Sequence, residues 1–526
     1  MSRRGSLLVA TGILLSRLFG LVRQRVLAHY LGLQTDAADA LAAAFRIPNF
    51  LQNLLGEGAL SASFIPSYSR LLGKGKEEEA RRLAGALLAL LILAIAVLVL
   101  AGELATPWLL DILVSHDWSP EKRALTGHLV RILFPGVGLL VISAWCLGVL
   151  NSHHRFLLSY ASPVVWNSTI IATALLLARH QPQQRFAVTV SMAAVTGSLL
   201  QILVQWPAVR AVGGAIRLQW WRNVPEIRDV VRAFVPNLAS RGANQISAFV
   251  DLFIASKITI TGAVAAMTNA QVLYTLPVSL FGMAVSAAEL PEMSREQGDP
   301  ATVANALRIR LSGATQQLAF YIVPSALGFL TLGGVIAGAV FQGGLFHKND
   351  AQFVWMVLAG SATGLLASTL GRLYAATFYA LHDTRTPLWC SVVRVALTAI
   401  LGIAAALVLP DALHINKRWG VAGLTASAGI AGWAEFALLR RGLYRRIGRF
   451  NVPAIELVKL WIAGIAAAAV GVVVARLATG LPPIPLALLA VPANAITYLA
   501  ITFWWNIPEA AVLTNRIRHV ARGGSL

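Results

Sequence analysis

Arg17 and Arg23 lie inside the first apolar stretch of the chain, residues 6–31, which is long enough to cross a bilayer. A charge in hydrocarbon is costly unless it faces a partner or a water-filled cavity. Arginine stays ionised, and its planar fork binds phosphate in a bidentate manner. The two arginines are therefore predicted to face a cavity that binds an anion. The alternative is that they pair internally or reach toward the lipid headgroups.

The next apolar stretch, residues 38–68, carries a polar stripe. At roughly 100° per residue, its polar side chains fall within an arc of about 140°, namely Asp36, Asp39, Arg46, Asn49, Asn53 and Glu57. In lipid such a face must turn inward, toward protein or water. The stripe predicts either substrate-binding groups and a gate of ion pairs, or a sealed polar interface between helices.

The composition is that of a polytopic membrane protein, with 526 residues, of which 57% are hydrophobic and 13% charged. We predict an all-α fold with about fourteen transmembrane helices. The approximate spans are 6–31, 38–68, 83–104, 124–149, 159–178, 187–209, 231–257, 264–291, 306–332, 353–380, 387–409, 420–439, 453–477 and 484–505.

The formal net charge of +20 is concentrated in alternate loops. Three basic clusters, at residues 70–82, 210–228 and 440–449, alternate with loops that are poorer in Lys and Arg. By the positive-inside rule, both termini are predicted to be cytoplasmic. This distribution argues against binding to nucleic acid. The sequence also lacks HExxH and P-loop motifs, so we do not expect an enzyme.

An internal repeat occurs at an offset of 225 residues. Residues 59–62 (ALSA) and the following Ile65-Pro66 match residues 284–287 (AVSA) and Leu290-Pro291. Parallel repeats are a transporter architecture, with the substrate bound at the repeat interface. The same offset brings Arg241 close to the pseudo-symmetric position of Arg17. We therefore predict that Arg241 binds substrate in the second repeat.

The segments SRLFGLVRQRVLAHYLG and DALAAAFRIPNFLQNLLGEGALSASFIP strongly resemble the start of the MurJ (MviN) family of bacterial lipid II flippases. PVSLFGMAVSAAELPEMS and FYALHDTRTPL extend the resemblance over the chain. It implies the multidrug/oligosaccharidyl-lipid/polysaccharide exporter superfamily, with two pseudo-symmetric six-helix lobes around a cationic central cavity and a C-terminal helix pair. The expected boundaries are 1–222 and 223–450 for the lobes, and 451–526 for the helix pair with its basic cytoplasmic tail.

The family's polar positions match only in part. Arg17, Arg23, Asp39 and Glu57 stand where the resemblance expects them. The positions of two family arginines are occupied by Gln52 and Val272. Asp251 matches a position implicated in sodium binding, but Thr398 and Gly402 replace the expected Asn and Asp. We therefore expect no cofactor and at most an incomplete site for a monovalent cation at Asp251.

The resemblance implies a flippase that moves undecaprenyl-pyrophosphate-linked peptidoglycan precursor, lipid II, from the inner to the outer leaflet by alternating access. Such a protein would act as a monomer in the bacterial plasma (inner) membrane, among membrane lipids and beside the cell-wall synthesis machinery. Three alternatives stay open: a diverged paralogue that exports another lipid-linked oligosaccharide, an ion-coupled antiporter of the same superfamily, and a scaffold that does not transport.

Overall fold

The computed structural model describes residues 3–55, 57–178, 181–214, 216–296, 299–381, 383–450 and 454–511. It describes only the backbone of residues 3–10, 47–49, 51–55, 57–59, 61–62, 113, 233, 235–246, 287, 291, 294 and 300. Throughout this part of the chain the secondary structure is helical, with one isolated bridge between Gly343 and Phe346. The predicted all-α membrane fold is therefore confirmed.

The helices of the first half are α1 (Arg3–Leu31), α2 (Asp36–Leu55), α3 (Glu57–Gly73), α4 (Glu77–Leu113), α5 (Pro120–Ser152), α6 (Phe156–Ala161), α7 (Pro163–Leu177), α8 (Gln183–Gly213) and α9 (Ile227–Lys257). Those that follow are α10 (Ala263–Pro277), α11 (Ala284–Arg295), α12 (Pro300–Phe341), α13 (Lys348–Ala362), α14 (Leu365–Ala380), α15 (Arg385–Ile403), α16 (Leu409–Ala412), α17 (Arg418–Ile447), α18 (Ala454–Leu477) and α19 (Pro483–Trp504). Two π-helical segments, Val278–Met283 and Ala404–Val408, continue α10 and α15.

Local sequence sets the helix starts. At α5, the Ser119 hydroxyl accepts a hydrogen bond from the Lys122 amide, and Pro120 occupies the first turn. At α12, the Asp299 carboxylate accepts from the amides of Ala301 and Thr302. The Thr302 hydroxyl and these amides lower the pKa of Asp299 from its usual value. Both caps satisfy amides that have no partner inside the helix.

Ten helices of the described chain are long and apolar enough to cross a membrane, or eleven if the bent pair α13–α14 is one span. Every one of them falls on a predicted span. The predicted spans 6–31 and 231–257, and the described residues of 38–68, are also helical. They carry the charges on which the functional hypothesis depends, so apolarity alone does not identify them. The exact count of fourteen stays a prediction.

Two compact units divide the chain. The first comprises Met1–Ala265 together with Gly343–Phe346, and the second comprises the remaining residues up to Leu526. Helix α9 thus lies in the first unit, whereas the prediction assigned residues 223–450 to the second lobe. Because the predicted lobes are defined by the internal repeat and not by contacts, their boundaries stay a prediction.

Helix α5 forms the centre of the first unit, where it packs against α2, α3, α4 and α8. Trp145 of α5 is completely buried in a cluster with Phe64 and Tyr68 of α3. Polar side chains also join α5 to α8: the Ser143 hydroxyl donates to Gln205 at 2.8 Å, and the Gln201 amide donates back to Ser143 at 2.7 Å. Such interhelical hydrogen bonds help helices to associate in lipid. Lipid tails are as apolar as the side chains, so apolar contact alone gives no hydrophobic driving force between helices.

Helix α12 forms the centre of the second unit, with contacts to α13, α14, α18 and α19. The C-terminal pair α18–α19 packs on itself and on α12. Two polar contacts fix it there: the Tyr498 hydroxyl donates to the Phe320 carbonyl at 2.8 Å, and the Gln316 amide contacts the Glu456 carboxylate. Helices α18 and α19 thus pack within the second unit, and the boundary of a separate C-terminal pair at residue 451 stays a prediction.

Candidate functional site

Helix α1, which carries Arg17 and Arg23, packs against α6 and α7. The Arg23 guanidinium stacks over the ring of Trp166 in α7, 4.7 Å from its centroid. Its buried Nε has no hydrogen-bond partner among the described residues. Arg17, six residues earlier, is exposed on the protein surface. In the described part of the chain, neither arginine has a carboxylate within ion-pair distance.

Arg46 of α2 turns toward α9. Its guanidinium donates to the Ala248 carbonyl at 3.1 Å, and the Asp251 carboxylate, one turn further along α9, attracts it electrostatically. Phe50 and Phe249 meet edge to face beside this contact, with ring centroids 4.7 Å apart. The structure thus brings together two of the predicted site residues, Arg46 and Asp251.

Asp39 lies at the start of α2, and its side chain is only 1% exposed. Oδ2 accepts from the Lys122 ammonium of α5 and from the Gly262 amide, both at 2.7 Å. Oδ1 accepts from the Ala265 amide at 2.9 Å. We call Asp39, Lys122, Gly262 and Ala265 the Asp39 latch. It joins α2, α5 and the α9–α10 connection.

Asp36 and Trp118 surround the cation of the latch. Lys122 Nζ lies 3.3 Å from Asp36 Oδ1 and 4.1 Å from the centroid of the Trp118 ring. Asp36 is half exposed, so it contributes less than the buried Asp39. The predicted polar stripe is therefore engaged at its Asp36–Asp39 end in this conformation.

The α4–α5 loop closes over the same end of the first unit. The Ser115 amide donates to the Ser256 hydroxyl at 2.8 Å, and the Trp118 indole donates to the Ser256 carbonyl at 3.1 Å. The Ser115 hydroxyl donates to Asp117 at 2.7 Å and, together with nearby Lys257, lowers the pKa of that carboxyl from its usual value. At this end the loop is tied to the last turn of α9.

The remaining predicted site residues belong to α2, α3 and α9, but their side chains lie outside the described residues: Asn49, Asn53, Glu57 and Arg241. Among positions where the resemblance expected polar groups, Thr398 is buried within α15 and Val272 lies in α10. In the part of the chain that the structure describes, no group of three or more His, Cys, Asp or Glu residues could hold a metal ion.

Several charged residues were not among the predicted site residues. Lys122 lies between the predicted spans 83–104 and 124–149, in a loop that is poor in Lys and Arg, yet it is buried against Asp39. Arg372, Arg394 and Glu435 lie in the predicted spans 353–380, 387–409 and 420–439 and were not considered. The sequence could have identified these three residues, because the cost of a charge inside a membrane span, on which the choice of Arg17 and Arg23 was based, applies equally to them.

The ten or eleven described helices that are long and apolar enough to cross a membrane define a polytopic membrane protein. A solved multidrug resistance MATE family transporter of the MOP superfamily shares this fold with a TM-score of 0.64 at 15% identity, over 82% of this chain and 94% of that chain. A solved lipid II flippase MurJ, in an inward closed conformation, shares it with a TM-score of 0.76 at 22% identity, over 95% of this chain and 99% of that chain.

A family model described as lipid II flippase MurJ matches residues 27–482. The probable lipid II flippase MurJ of Haemophilus influenzae is 30% identical over 470 residues, covering 86% of this chain and 89% of that protein. The corresponding protein of Rhizobium meliloti is 29% identical over 429 residues, covering 81% of this chain and 77% of that protein. The chain belongs to the MurJ family of lipid II flippases, which are transporters and not enzymes.

Proposed function

We propose that this protein moves lipid II from the inner to the outer leaflet by alternating access, and that the arginines of α1 bind its pyrophosphate. The observation that carries the proposal is the placement of Arg17 and Arg23 in α1, a predicted span, without a carboxylate partner among the described residues. Membership of the MurJ family supports the choice of lipid II as the cargo.

Arg23 is suited to hold a phosphate because it is already oriented. The Trp166 ring covers one face of its guanidinium, which leaves the N–H groups at the edge of the plane. A cation–π contact of this kind is worth about 0.5–2 kcal/mol. It fixes the fork without neutralising its charge, so the charge remains available for a pyrophosphate.

We propose that the Asp39 latch is a gate and not a ligand for the headgroup. Asp39 is 1% exposed and already accepts three hydrogen bonds, so its carboxylate is not accessible to a substrate in this conformation. The positive-inside pattern predicts that this end of the first unit is periplasmic and that both termini are cytoplasmic. Release of lipid II to the outer leaflet then requires the latch to open.

We propose that no bound cation is needed at Asp251. Arg46 already supplies a positive charge to that carboxylate, as the electrostatic attraction between the two residues indicates. The membrane potential, worth about 2.3 kcal/mol per charge per 100 mV, would act on the charged carrier instead. We further propose a monomer in the bacterial inner membrane, next to the enzymes that consume lipid II.

The second candidate is a diverged paralogue that carries another polyprenyl-linked glycan. The observation that favours it is Val272, an apolar residue of α10 at a position where the resemblance predicts an arginine. Both candidates need a diphosphate-binding site, and they differ in the sugar recognised. Lipid II is preferred because the family match extends over residues 27–482.

The test is rescue of growth in a bacterium depleted of its own lipid II flippase. We expect the wild-type chain to rescue and Arg23→Gln to fail at equal membrane levels. Loss of a hydrogen bond to a charged group costs about 1.5–3 kcal/mol, which corresponds to roughly ten- to hundredfold weaker binding of lipid II. The matched control is Arg185→Gln, an exposed arginine at the start of α8, which should rescue fully.

Failure of the wild-type chain at normal membrane levels would contradict lipid II as the cargo and favour the paralogue. Rescue by Arg23→Gln as complete as that by Arg185→Gln would contradict the assignment of pyrophosphate binding to Arg23.

A further inference from the structure

Three charged side chains lie inside predicted membrane spans of the second unit: Arg372 in α14, Arg394 in α15 and Glu435 in α17. A charge inside a membrane-spanning helix is costly where it faces lipid. Each of these charges therefore needs a partner or a polar cavity.

Glu435 is the partner of Arg394. Arg394 Nε lies 3.2 Å from Glu435 Oε2, and the Ser391 hydroxyl donates to Oε1 at 2.7 Å. The two charged side chains are 26% and 14% exposed. The ion pair is incomplete, because Nε does not meet hydrogen-bond geometry and, among the described residues, the two terminal nitrogens of Arg394 donate no hydrogen bond.

Arg372 has no such partner. In the described part of the chain it forms no ion pair and no hydrogen bond, and its side chain is exposed on the protein surface. Tyr274 of α10 is close enough to feel the charges of both Arg372 and Arg394. Its hydroxyl shares a 2.7 Å hydrogen bond with Ser368, one turn before Arg372 on α14.

The charges of this cluster do not balance. Arg372 follows Gly371, on which a Cβ would lie 4.0 Å from Glu435 Oε2, so two arginines lie near one carboxylate and one positive charge is in excess. An ion pair that only joined α15 to α17 would leave Arg372 and the unused N–H groups of Arg394 without a role. An anion that accepts several hydrogen bonds would neutralise the excess charge and bind those N–H groups.

We propose that Arg372 and Arg394 form an anion site in the second unit for the pyrophosphate of the lipid-linked substrate, and that Glu435 occupies Arg394 until the pyrophosphate displaces it. This inference rests on the proposed function, and it assigns to the second unit a site and an exchange of partners. Ser391 makes the exchange feasible, since its hydroxyl still donates to the Glu435 carboxylate after Arg394 has moved.

The test is a titration of the purified full-length protein, in lipid nanodiscs, with inorganic pyrophosphate, measured by calorimetry. We expect Arg394→Gln to weaken binding about tenfold or more, as for any lost hydrogen bond to a charged group. Glu435→Gln should strengthen binding severalfold, because it removes the competitor while preserving the side-chain shape. The opposite signs distinguish competition from a structural role.

The matched control is Arg446→Gln, which breaks a second ion pair of the same unit, between Arg446 and Asp383 at 2.9 Å near the end of α17. It should leave the affinity for pyrophosphate unchanged. If Arg394→Gln does not fold, the double variant Arg394→Gln/Glu435→Gln removes both charges together, and it should bind as weakly as Arg394→Gln is expected to.

Equal weakening by Glu435→Gln and Arg394→Gln would overturn the exchange. If Arg23→Gln weakens binding and Arg394→Gln does not, the second site is wrong and the proposed function stands. If neither variant changes binding, the proposed function fails with it. In a second arm lipid II is added as a competitor, and pyrophosphate that stays bound at Arg394 would show a site for free anions, contrary to the proposal.

Discussion

Lys122 is the residue on which the closed end of the first unit depends. It is 6% exposed and donates to a carboxylate that is 1% exposed, so the pair is almost completely removed from solvent. Pairs of this kind contribute little compared with a well-packed apolar alternative, yet removal of one partner leaves a buried charge without compensation. Substitution of Lys122 alone should therefore destabilise the protein far more than apolar substitution of Lys122 and Asp39 together.

We expect Lys122→Met to destabilise the protein by about 3–5 kcal/mol, the usual cost of breaking a buried ion pair. The measurement is the melting temperature of the purified protein, which should fall by several degrees. Lys257→Met is the control, because Lys257 lies 3.8 Å from the exposed Asp117 and such a pair is worth at most about 1 kcal/mol. Equal melting temperatures for the two variants would contradict a buried latch.

A site residue could be predicted from the sequence where its charge contrasts with its immediate neighbours in the chain. Arg17 and Arg23 are conspicuous because they interrupt an apolar run. Lys122 is not, since it sits in the first turn of α5, and its partner Asp39 is 83 residues away in the chain. Only the packing of α2 against α5 shows that Lys122 is buried.

At the scale of elements, the α9–α10 connection supplies the backbone half of the Asp39 latch. Gly262 has a positive φ of 93°, which L side chains rarely adopt. A Cβ placed on it would lie 2.9 Å from the Leu33 carbonyl oxygen, closer than real Cβ contacts. The glycine therefore allows the connection to pass close to the start of α2 and to present its amide to Asp39.

We expect Gly262→Ala to lower the melting temperature, because it adds both a strained φ and a clash with Leu33. Gly75→Ala is the control: its φ of 71° is also positive, but no atom lies within 4 Å of a Cβ placed there. The difference between the two variants measures crowding at the latch, apart from backbone strain. A Gly75→Ala variant as unstable as Gly262→Ala would contradict this account.

The existence of the helices followed from hydropathy, but their interruptions did not. The stretch 353–380 was predicted as one span, whereas the structure divides it into α13 and α14, bent by 43°. A close approach to another helix accompanies the bend: a Cβ on Gly364 would lie 2.3 Å from the Gly429 Cα of α17. A contact between residues 65 positions apart leaves no periodic signal in the sequence.

At the scale of the whole molecule, the orientation in the membrane decides what the latch does. The three basic clusters predict that the α3–α4 turn is cytoplasmic and the α4–α5 loop periplasmic. Both connections offer exposed positions, Gly75 in the first and His116 in the second. Their opposite locations are therefore open to direct chemical labelling.

We expect a membrane-impermeant maleimide to label His116→Cys in right-side-out vesicles, and Gly75→Cys only after permeabilisation. The native cysteines, Cys146 and Cys390, are buried and give the background, which the unsubstituted chain measures. The reverse pattern would place the latch at the cytoplasmic end. The proposed route of lipid II through the gate would then be wrong.

The three hydrogen bonds that converge on Asp39 also determine what must accompany opening. Two of the donors, Gly262 N and Ala265 N, are backbone amides at the start of α10, where the helix itself provides no acceptor. When Asp39 withdraws, these amides and the Lys122 ammonium need new acceptors. Water is the acceptor at hand, so the proposed opening of the latch would draw water into this end of the protein, and closure would expel it. The equilibrium between the two states should therefore respond to osmotic stress, with osmolytes that the site excludes favouring the closed form.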